Sequence, residues 1–210
     1  MPVRLSRLGD LANLCVARFE PVADAQRTVT PGALGQPKTD PTAAPTRAPA
    51  VLTCADCSGE ALEGLLTCYG LRLVIVAAGA EIPGSYWGAP EAGLVGDCLY
   101  VRPDTPVHSA LHEACHYVCM DRERRRSLHT DAGGEFMEEA AVCYLQALLA
   151  DRLPGAGRER LLADMDTWGY SFRLGSARAW IEQDAEDARA WLIEHGLITP
   201  AGEPTFRVRD

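Results

Sequence analysis

Residues 105–119 read TPVHSALHEACHYVC, and this stretch decides how the rest of the chain is interpreted. Pro106 suits the start of a helix, because its φ is already helical and its missing N–H would have no partner there. Apolar residues then recur at helical spacing, at positions 107, 111, 114, 115 and 118. The pattern predicts an amphipathic helix with one face in the core and with His112 and His116 at the border of that face.

The centre of this helix, His112-Glu113-Ala114-Cys115-His116, has the HExxH pattern. Residues four apart lie one turn apart on the same side, so both imidazoles can reach one ion at about 2.0–2.1 Å. Glu113 lies beside them and can take a proton from water bound to Zn²⁺. The alternative is a pair of ordinary histidines on an amphipathic helix. The pattern favours a zinc site with His112 and His116 as ligands and Glu113 as the general base.

A catalytic zinc ion usually has a third protein ligand. The extended pattern HExxHxxGxxH is absent, since Cys119 and Arg122 occupy its glycine and third histidine positions. A later helix, predicted over residues 135–151, offers two adjacent glutamates.

Glu138 shares a helix face with apolar residues, whereas Glu139 lies on a more mixed face. A carboxylate directed into a core is costly unless a cation compensates it, and a zinc ion held by two histidines would do so. We therefore predict Glu138 as the third metal ligand, with Glu139 as the second choice. Three further residues remain as alternatives: His129, Asp131 and Asp121.

The order of predicted elements indicates an α+β fold, with a small β-sheet packed on a helical body. The predicted elements are a helix from Ser58 to Tyr69, strands over 71–76 and 97–102, the HExxH helix, and helices over 135–151, 158–168 and 176–195. Residues 1–20 could form a short amphipathic helix, whereas residues 28–50 contain hardly any large apolar residue, and residues 1–50 are predicted to be a disordered leader or linker. Residues 51–200 are predicted to form the domain, and residues 201–210 a tail.

The composition indicates which kinds of partner and which cellular compartment to expect. A net charge of −9 over 210 residues gives no expectation of nucleic-acid binding, and the arginine run 122–126 is interpreted as a solvated helix end. No apolar run is long enough to cross a membrane. The eight cysteines form no regular framework, so we expect reduced thiols and a cytoplasmic location, with Cys54 and Cys57 as an ordinary pair.

Two histidines, a glutamate base and a glutamate on a later helix resemble the gluzincins, the thermolysin-like metallopeptidases, and residues 138–141 resemble their ExxA ligand motif. The order of elements over about residues 58–153 resembles the compact ImmA/IrrE-type peptidase domain more closely. This chain differs at Ala114-Cys115, where that family often has Leu-Gly, and at Val142, where it has Asn. The resemblance implies a zincin-like fold, a Zn²⁺ ion and hydrolysis of peptide bonds.

A peptide or protein substrate is therefore expected, and it could pair with the edge of strand 99–102. Tyr144 is the first candidate to donate a hydrogen bond to the oxyanion, with His129 and His108 as alternatives. The competing hypothesis is a non-catalytic, zinc-bearing module for protein interaction, or an accessory partner of a transcriptional regulator. A second competitor, a regulator whose C-terminal helices bind DNA, is disfavoured by the acidic character of residues 182–187.

Overall fold

The structure, a computed structural model, describes residues 50–210. These residues form a mixed α+β fold, with seven α-helices and one three-stranded sheet in the part of the chain that is described. The predicted class, α+β with a small sheet beside a helical body, is confirmed at this level. The predicted leader, residues 1–50, lies outside the described residues except for its last position.

The sheet contains strands β1 (Arg72–Ile75), β2 (Gly93–Val95) and β3 (Cys98–Val101), in the order β1-β3-β2. β1 is parallel to β3, and β2 is antiparallel to it. β3 is thus the central strand, and both of its edges are already hydrogen-bonded. The expectation that strand 99–102 offers an open edge to a substrate peptide is therefore wrong.

The outer edge of β2 is covered by residues 128–130. The amide of Thr130 donates to the carbonyl of Leu94 at 3.0 Å, and the amide of Gly96 donates to the carbonyl of Leu128 at 2.9 Å. β2 was not predicted from the sequence, because it has only three residues and follows a Gly- and Pro-rich loop. Its pairing brings loop 131–134 next to the helix that carries the HExxH pattern.

Helices α1 (Gly59–Thr67), α2 (Val107–Cys119), α4 (Phe136–Ala150) and α5 (Arg158–Trp168) lie close to their predicted positions. α1 begins as predicted at Ser58, whose hydroxyl accepts a hydrogen bond from the amide of Ala61 at 3.3 Å. The helix predicted over 176–195 is two helices, α6 (Ala177–Gln183) and α7 (Glu186–Glu194). α2 packs against α4, and α4 packs against α7, so α4 lies in the middle of the helical body.

A short helix, α3 (Arg122–Arg126), follows α2. Arg125 donates to the carbonyls of Tyr117 and Met120 at 3.0 and 2.6 Å, and Arg124 reaches Glu138 at the start of α4. The interpretation of the arginine run as a solvated helix end is therefore wrong for these two residues, which join α3 to its neighbours.

The predicted tail, residues 201–210, lies against the helices. The amide of Arg209 donates to the carbonyl of Val118 at the end of α2, at 2.9 Å, and Val208 is half-buried against the core. In the described part of the chain, no helix has the length and apolar character needed to cross a bilayer. Cys54 and Cys57 are both free thiols in the structure.

Candidate metal centre

The HExxH pattern lies in the middle of α2, where the apolar stripe places it. Val107, Leu111 and Ala114 are buried in the core, and this holds the two histidines at the border of the buried face, as predicted. The two Nε2 atoms of His112 and His116 lie 3.1 Å apart. Only 12% and 11% of these side chains are exposed, so both rings are largely removed from water.

Glu139, in the first turn of α4, brings a carboxylate to the two rings. Its Oε1 lies 3.3 Å from Nε2 of His112, and its Oε2 lies 3.4 Å from Nε2 of His116. These three side chains could hold a metal ion. The second choice of the sequence analysis, Glu139, is thus the glutamate that the structure groups with the histidines.

The spacing of these atoms fits a small divalent cation. Ligand atoms about 2.0–2.1 Å from a tetrahedral Zn²⁺ are separated by about 3.3 Å. The two Nε2 atoms lie 3.1 Å apart, and each lies 3.3 or 3.4 Å from one of the two oxygens of Glu139, all close to that edge length. Two imidazoles and one carboxylate are also the kind of donor set that catalytic zinc sites use. The residues present therefore fit a zinc ion.

The predicted third ligand, Glu138, lies elsewhere. Its carboxylate contacts Nη2 of Arg124 at 2.5 Å and Nη1 of Arg209 at 3.0 Å, and only 4% of the residue is exposed. The reasoning that Glu138 points inward and needs a cation was correct, but two guanidinium groups supply that charge. Neither arginine is close to Glu138 in sequence, so helical periodicity alone could not identify them.

Gln146 fixes the orientation of His112. Nδ1 of His112 lies 3.0 Å from Oε1 of Gln146, while the Nε2 amide of Gln146 lies 2.9 Å from the sulfur of Met165. Because Oε1 can only accept, Nδ1 carries the proton and Nε2 keeps its lone pair for a metal. Metal-binding histidines commonly have such a partner behind the ring. Gln146 is fully buried, which keeps this contact dry.

The three ligand candidates shift the pKa values of one another. Burial raises the pKa of Glu139, but the adjacent His112 and His116 outweigh it and lower that pKa to about 2. For His112, burial favours the neutral ring, yet Glu139 outweighs it and raises the pKa well above its usual value. Burial and then the charge of His112 lower the pKa of His116 to about 4. The raised pKa of His112 and the lowered pKa of Glu139 both reflect the attraction between the two groups, so a positive charge is favoured where a cation would bind.

Glu113 lines the same pocket as the three ligand candidates. Burial raises the pKa of Glu113 to about 7, with His112 opposing the shift and Glu139 adding to it. A carboxylate with a pKa near the working pH can both accept and return a proton. The pocket, with a volume of about 240 Å³, opens to solvent and gives a second molecule access to these groups.

Tyr144, the first candidate for oxyanion stabilisation, does not line this pocket; it is half-buried against the hydrophobic core. Tyr170 lies there instead. It lines the pocket, and its ring meets that of His112 edge-on at 5.7 Å between centroids. Tyr170 follows the end of α5, and its position near α2 depends on how the two helices pack, which the sequence does not reveal.

Three of the other candidates, His129, Asp121 and His108, do not line the pocket, whereas Asp131 does. His129 is exposed and contacts Thr130, and Asp121 caps α3 by accepting the amides of residues 123 and 124. His108 is buried between Trp168 and Tyr170, with ring centroids at 5.3 and 5.5 Å.

Five residues near the site were missed or undervalued by the sequence analysis: Gln146, Tyr170, Tyr86, Trp87 and Arg124. One signal was available. Glu139, Cys143 and Gln146 follow one another along a single face of a helix that is otherwise apolar, and this mixed face turns out to contact His112. The polar positions on a buried helix indicate the direction of the site better than its apolar positions do.

Comparison of the chain with models of protein families, with curated proteins and with solved structures gave no match. The geometry of the site is therefore the basis of the functional proposal.

Proposed function

We propose that this protein is a zinc-dependent hydrolase that cleaves peptide bonds, with His112, His116 and Glu139 as metal ligands and Glu113 as general base. One observation carries the proposal. The Nε2 atoms of His112 and His116 lie 3.1 Å apart, each is 3.3–3.4 Å from an oxygen of the Glu139 carboxylate, and the carboxylate of Glu113 lines the same open pocket. A structural zinc site is normally closed by four protein ligands, whereas a catalytic site leaves a position for water.

When bound here, a zinc ion would polarise the carbonyl of the substrate and make a water molecule more acidic. Glu113 would accept a proton from the attacking water at its carboxylate oxygen. It would then deliver that proton to the nitrogen of the leaving amine, which cannot depart as an anion. Glu113 is suited to both steps because its partly buried environment keeps its protonated and ionised forms close in free energy.

The supporting residues have separate tasks. Gln146 holds the proton on Nδ1 of His112 and so keeps Nε2 available. The ion pairs of Glu138 hold the first turn of α4, from which Glu139 projects. Tyr170 closes one side of the pocket against the ring of His112.

The test compares the purified protein with Glu113→Gln and Glu139→Gln variants. We expect the wild type to bind about one equivalent of Zn²⁺ and to hydrolyse a mixed pool of unstructured peptides, with loss of activity in EDTA and recovery with Zn²⁺. Glu113→Gln should keep the metal and lose at least about 100-fold in rate. Glu139→Gln should lose both.

Three results would contradict the proposal. A wild-type protein that binds no zinc at micromolar concentration would remove the metal centre. A protein that binds zinc but hydrolyses no peptide would instead be a zinc-bearing interaction module, and hydrolysis unaffected by Glu113→Gln would contradict Glu113 as the general base.

A further inference from the structure

The pocket at the metal centre has an aromatic rim. Tyr86 and Trp87 both line the pocket that contains His112, Glu113 and Glu139. They are 57% and 54% exposed, and their rings meet edge-on at 5.1 Å between centroids. Two adjacent aromatic side chains that face solvent beside a polar pocket form the kind of surface that proteins use to contact a ligand.

The loop that carries these rings is fastened to β2. The carbonyl of Gly84 accepts the amide of Leu94 at 3.2 Å, and Ile82 is buried. A side chain at Gly84 would place its Cβ 2.4 Å from the carbonyl oxygen of Leu94, and its φ of +74° also favours glycine. A Cβ at Gly93 would lie 2.2 Å from the carbonyl oxygen of Pro83. This close approach of two backbone segments explains both glycines.

The far end of the loop is fastened as well. The amide of Glu91 donates to the carbonyl of Gly88 at 3.0 Å, and the carboxylate of Glu91 accepts the indole N–H of Trp168 at 2.6 Å. The exposure of Tyr86 and Trp87 is therefore not the result of a loose loop. Both rings are held at the mouth of the pocket from two sides.

The chemistry of the pocket restricts its occupant. The aromatic rim offers apolar surface at its mouth, and Asp131 lines it together with Glu113 and the candidate metal ligands. Its volume of about 240 Å³ lies below the roughly 300–1,000 Å³ of pockets that enclose a whole small molecule. An open pocket of this size fits one side chain and the adjoining backbone of a longer chain.

We propose that Tyr86 and Trp87 form a specificity subsite that receives a bulky apolar or aromatic side chain of a peptide next to the bond presented to the metal centre. This inference rests on the proposed function, because it assumes that the metal-centre pocket receives a peptide. It adds the class of residue that the protein selects. The two rings bury the apolar side chain, and a polar or acidic residue at the same position offers them no apolar surface.

The test measures binding without turnover, using zinc-loaded Glu113→Gln protein. The probes are fluorescently labelled, capped hexapeptides of alanine in which one central residue is Phe, Leu, Ala or Asp, and binding is followed by fluorescence anisotropy. We expect the Phe and Leu peptides to bind about tenfold more tightly than the Ala peptide, because a buried apolar side chain contributes free energy of that order. The Asp peptide should bind no more tightly than the Ala peptide, because an aspartate offers the two rings no apolar surface and Asp131 also lines the pocket.

The same peptides are then tested against Trp87→Ala and Tyr86→Ala, each made in the Glu113→Gln background. The matched control is Ile75→Ala, since Ile75 is also a large apolar residue, 63% exposed, but does not line the pocket. The two rim variants should reduce the preference for Phe over Ala to about twofold or less, and the control should leave it unchanged. Circular dichroism checks that each variant is folded.

The inference is overturned if no peptide binds, or if both rim variants keep the full preference for Phe. These outcomes differ from those that test the proposed function. A wild-type protein that binds Phe peptides through Trp87 but cleaves none would contradict the peptidase proposal and leave the subsite standing. A protein that cleaves peptides regardless of the central residue would contradict the subsite alone.

Discussion

The adjacent carboxylates of Glu138 and Glu139 leave the first turn of α4 toward different partners. Oε1 of Glu138 lies 2.5 Å from Nη2 of Arg124, while Oε1 of Glu139 lies 3.3 Å from Nε2 of His112. Successive helical residues differ by about 100° in direction, so neighbours in sequence can face different sides of a helix. One glutamate therefore stabilises the fold, and the other faces the candidate metal centre.

This division gives the first prediction. Glu139→Gln should weaken zinc binding more than about 100-fold, because loss of a partner behind a ligand already costs about 10–100-fold. Glu138→Gln should change zinc affinity less than about threefold but lower the free energy of unfolding by about 2 kcal/mol, since it removes the shared partner of two arginines. Zinc titration and urea unfolding measure the two effects. If the two variants showed the reverse pattern, Glu138 would be the ligand.

The second prediction concerns the support of His112. Gln146→Met keeps the length of the side chain but removes the acceptor from Nδ1 of His112. We expect zinc affinity to fall about 10–100-fold with the fold retained. Competition with a fluorescent chelator provides the measurement, and the exposed Gln183→Met is the control. Unchanged affinity in Gln146→Met would show that the ring does not need this contact.

The third prediction is a dependence of stability on pH that arises from His108. Burial and then the charge of His112 lower the pKa of His108 to about 3, against about 6.5 in an unfolded chain. Between these values the unfolded chain binds a proton that the folded protein does not, so the stability from His108 is complete above pH 6.5. It should decrease by about 1.4 kcal/mol per pH unit as the pH falls toward 3.

The groups that face His108 are Tyr170, Trp168 and His112, and none of them offers it a negative charge. His108→Phe should therefore flatten the curve of unfolding free energy between pH 6.5 and 4.5, when compared with the wild type and with the exposed His129→Gln. Urea unfolding at a series of pH values gives the curves. An equally steep curve in His108→Phe would assign the acid sensitivity to other groups.

The fourth prediction follows from the way the candidate ligands join two helices. His112 and His116 come from α2 and Glu139 from α4, so an ion bound to all three would link these helices. Zinc at about 100 times its dissociation constant should stabilise the protein by about 2.7 kcal/mol. Thermal unfolding with Zn²⁺ and with EDTA measures this difference. Glu139→Gln should abolish it, and equal shifts in both proteins would indicate binding elsewhere.

The fifth prediction separates two effects of glycine in the aromatic loop. In Gly84→Ala the added methyl group would clash with the carbonyl oxygen of Leu94. Gly79 has a similar φ of +77° but open space around it, so Gly79→Ala adds no clash. Both variants carry the cost of the unfavourable φ, about 1 kcal/mol, and only Gly84→Ala carries the clash. We expect Gly84→Ala to lose clearly more stability and to weaken binding of the Phe peptide. Equal losses would show that the loop can move away from β2.

Much of the fold was accessible from sequence, because local patterns specify it. Ser58 predicted the start of α1, and the apolar stripe of α2 predicted that His112 and His116 lie at the border of its buried face. The predictions that were wrong concern features that depend on contacts between residues far apart in the sequence. The order of the sheet, with β3 in its centre, is a tertiary property, and strand 99–102 looked the same whether central or at an edge.

In the candidate site, too, features that depend on neighbouring residues could be predicted, and features that depend on residues far apart in the sequence could not. The HExxH helix could be predicted because both histidines lie within one turn. The choice between Glu138 and Glu139 depended on Arg209, about seventy residues further along the chain, which takes the inward carboxylate. Tyr144, the first candidate to donate to the oxyanion, does not line the pocket, whereas Tyr170, which the packing of α5 brings there, does.

Through Arg209, residues 201–210 contribute to the structure around α4 and α2. The guanidinium of Arg209 reaches Glu138 at 3.0 Å and stacks on Trp191, while its amide holds the end of α2. A protease that clips after Arg207, or an affinity tag that pulls this segment away, would leave a buried carboxylate with one guanidinium instead of two. Anyone preparing the protein for metal titration should therefore place the purification handle at the other terminus.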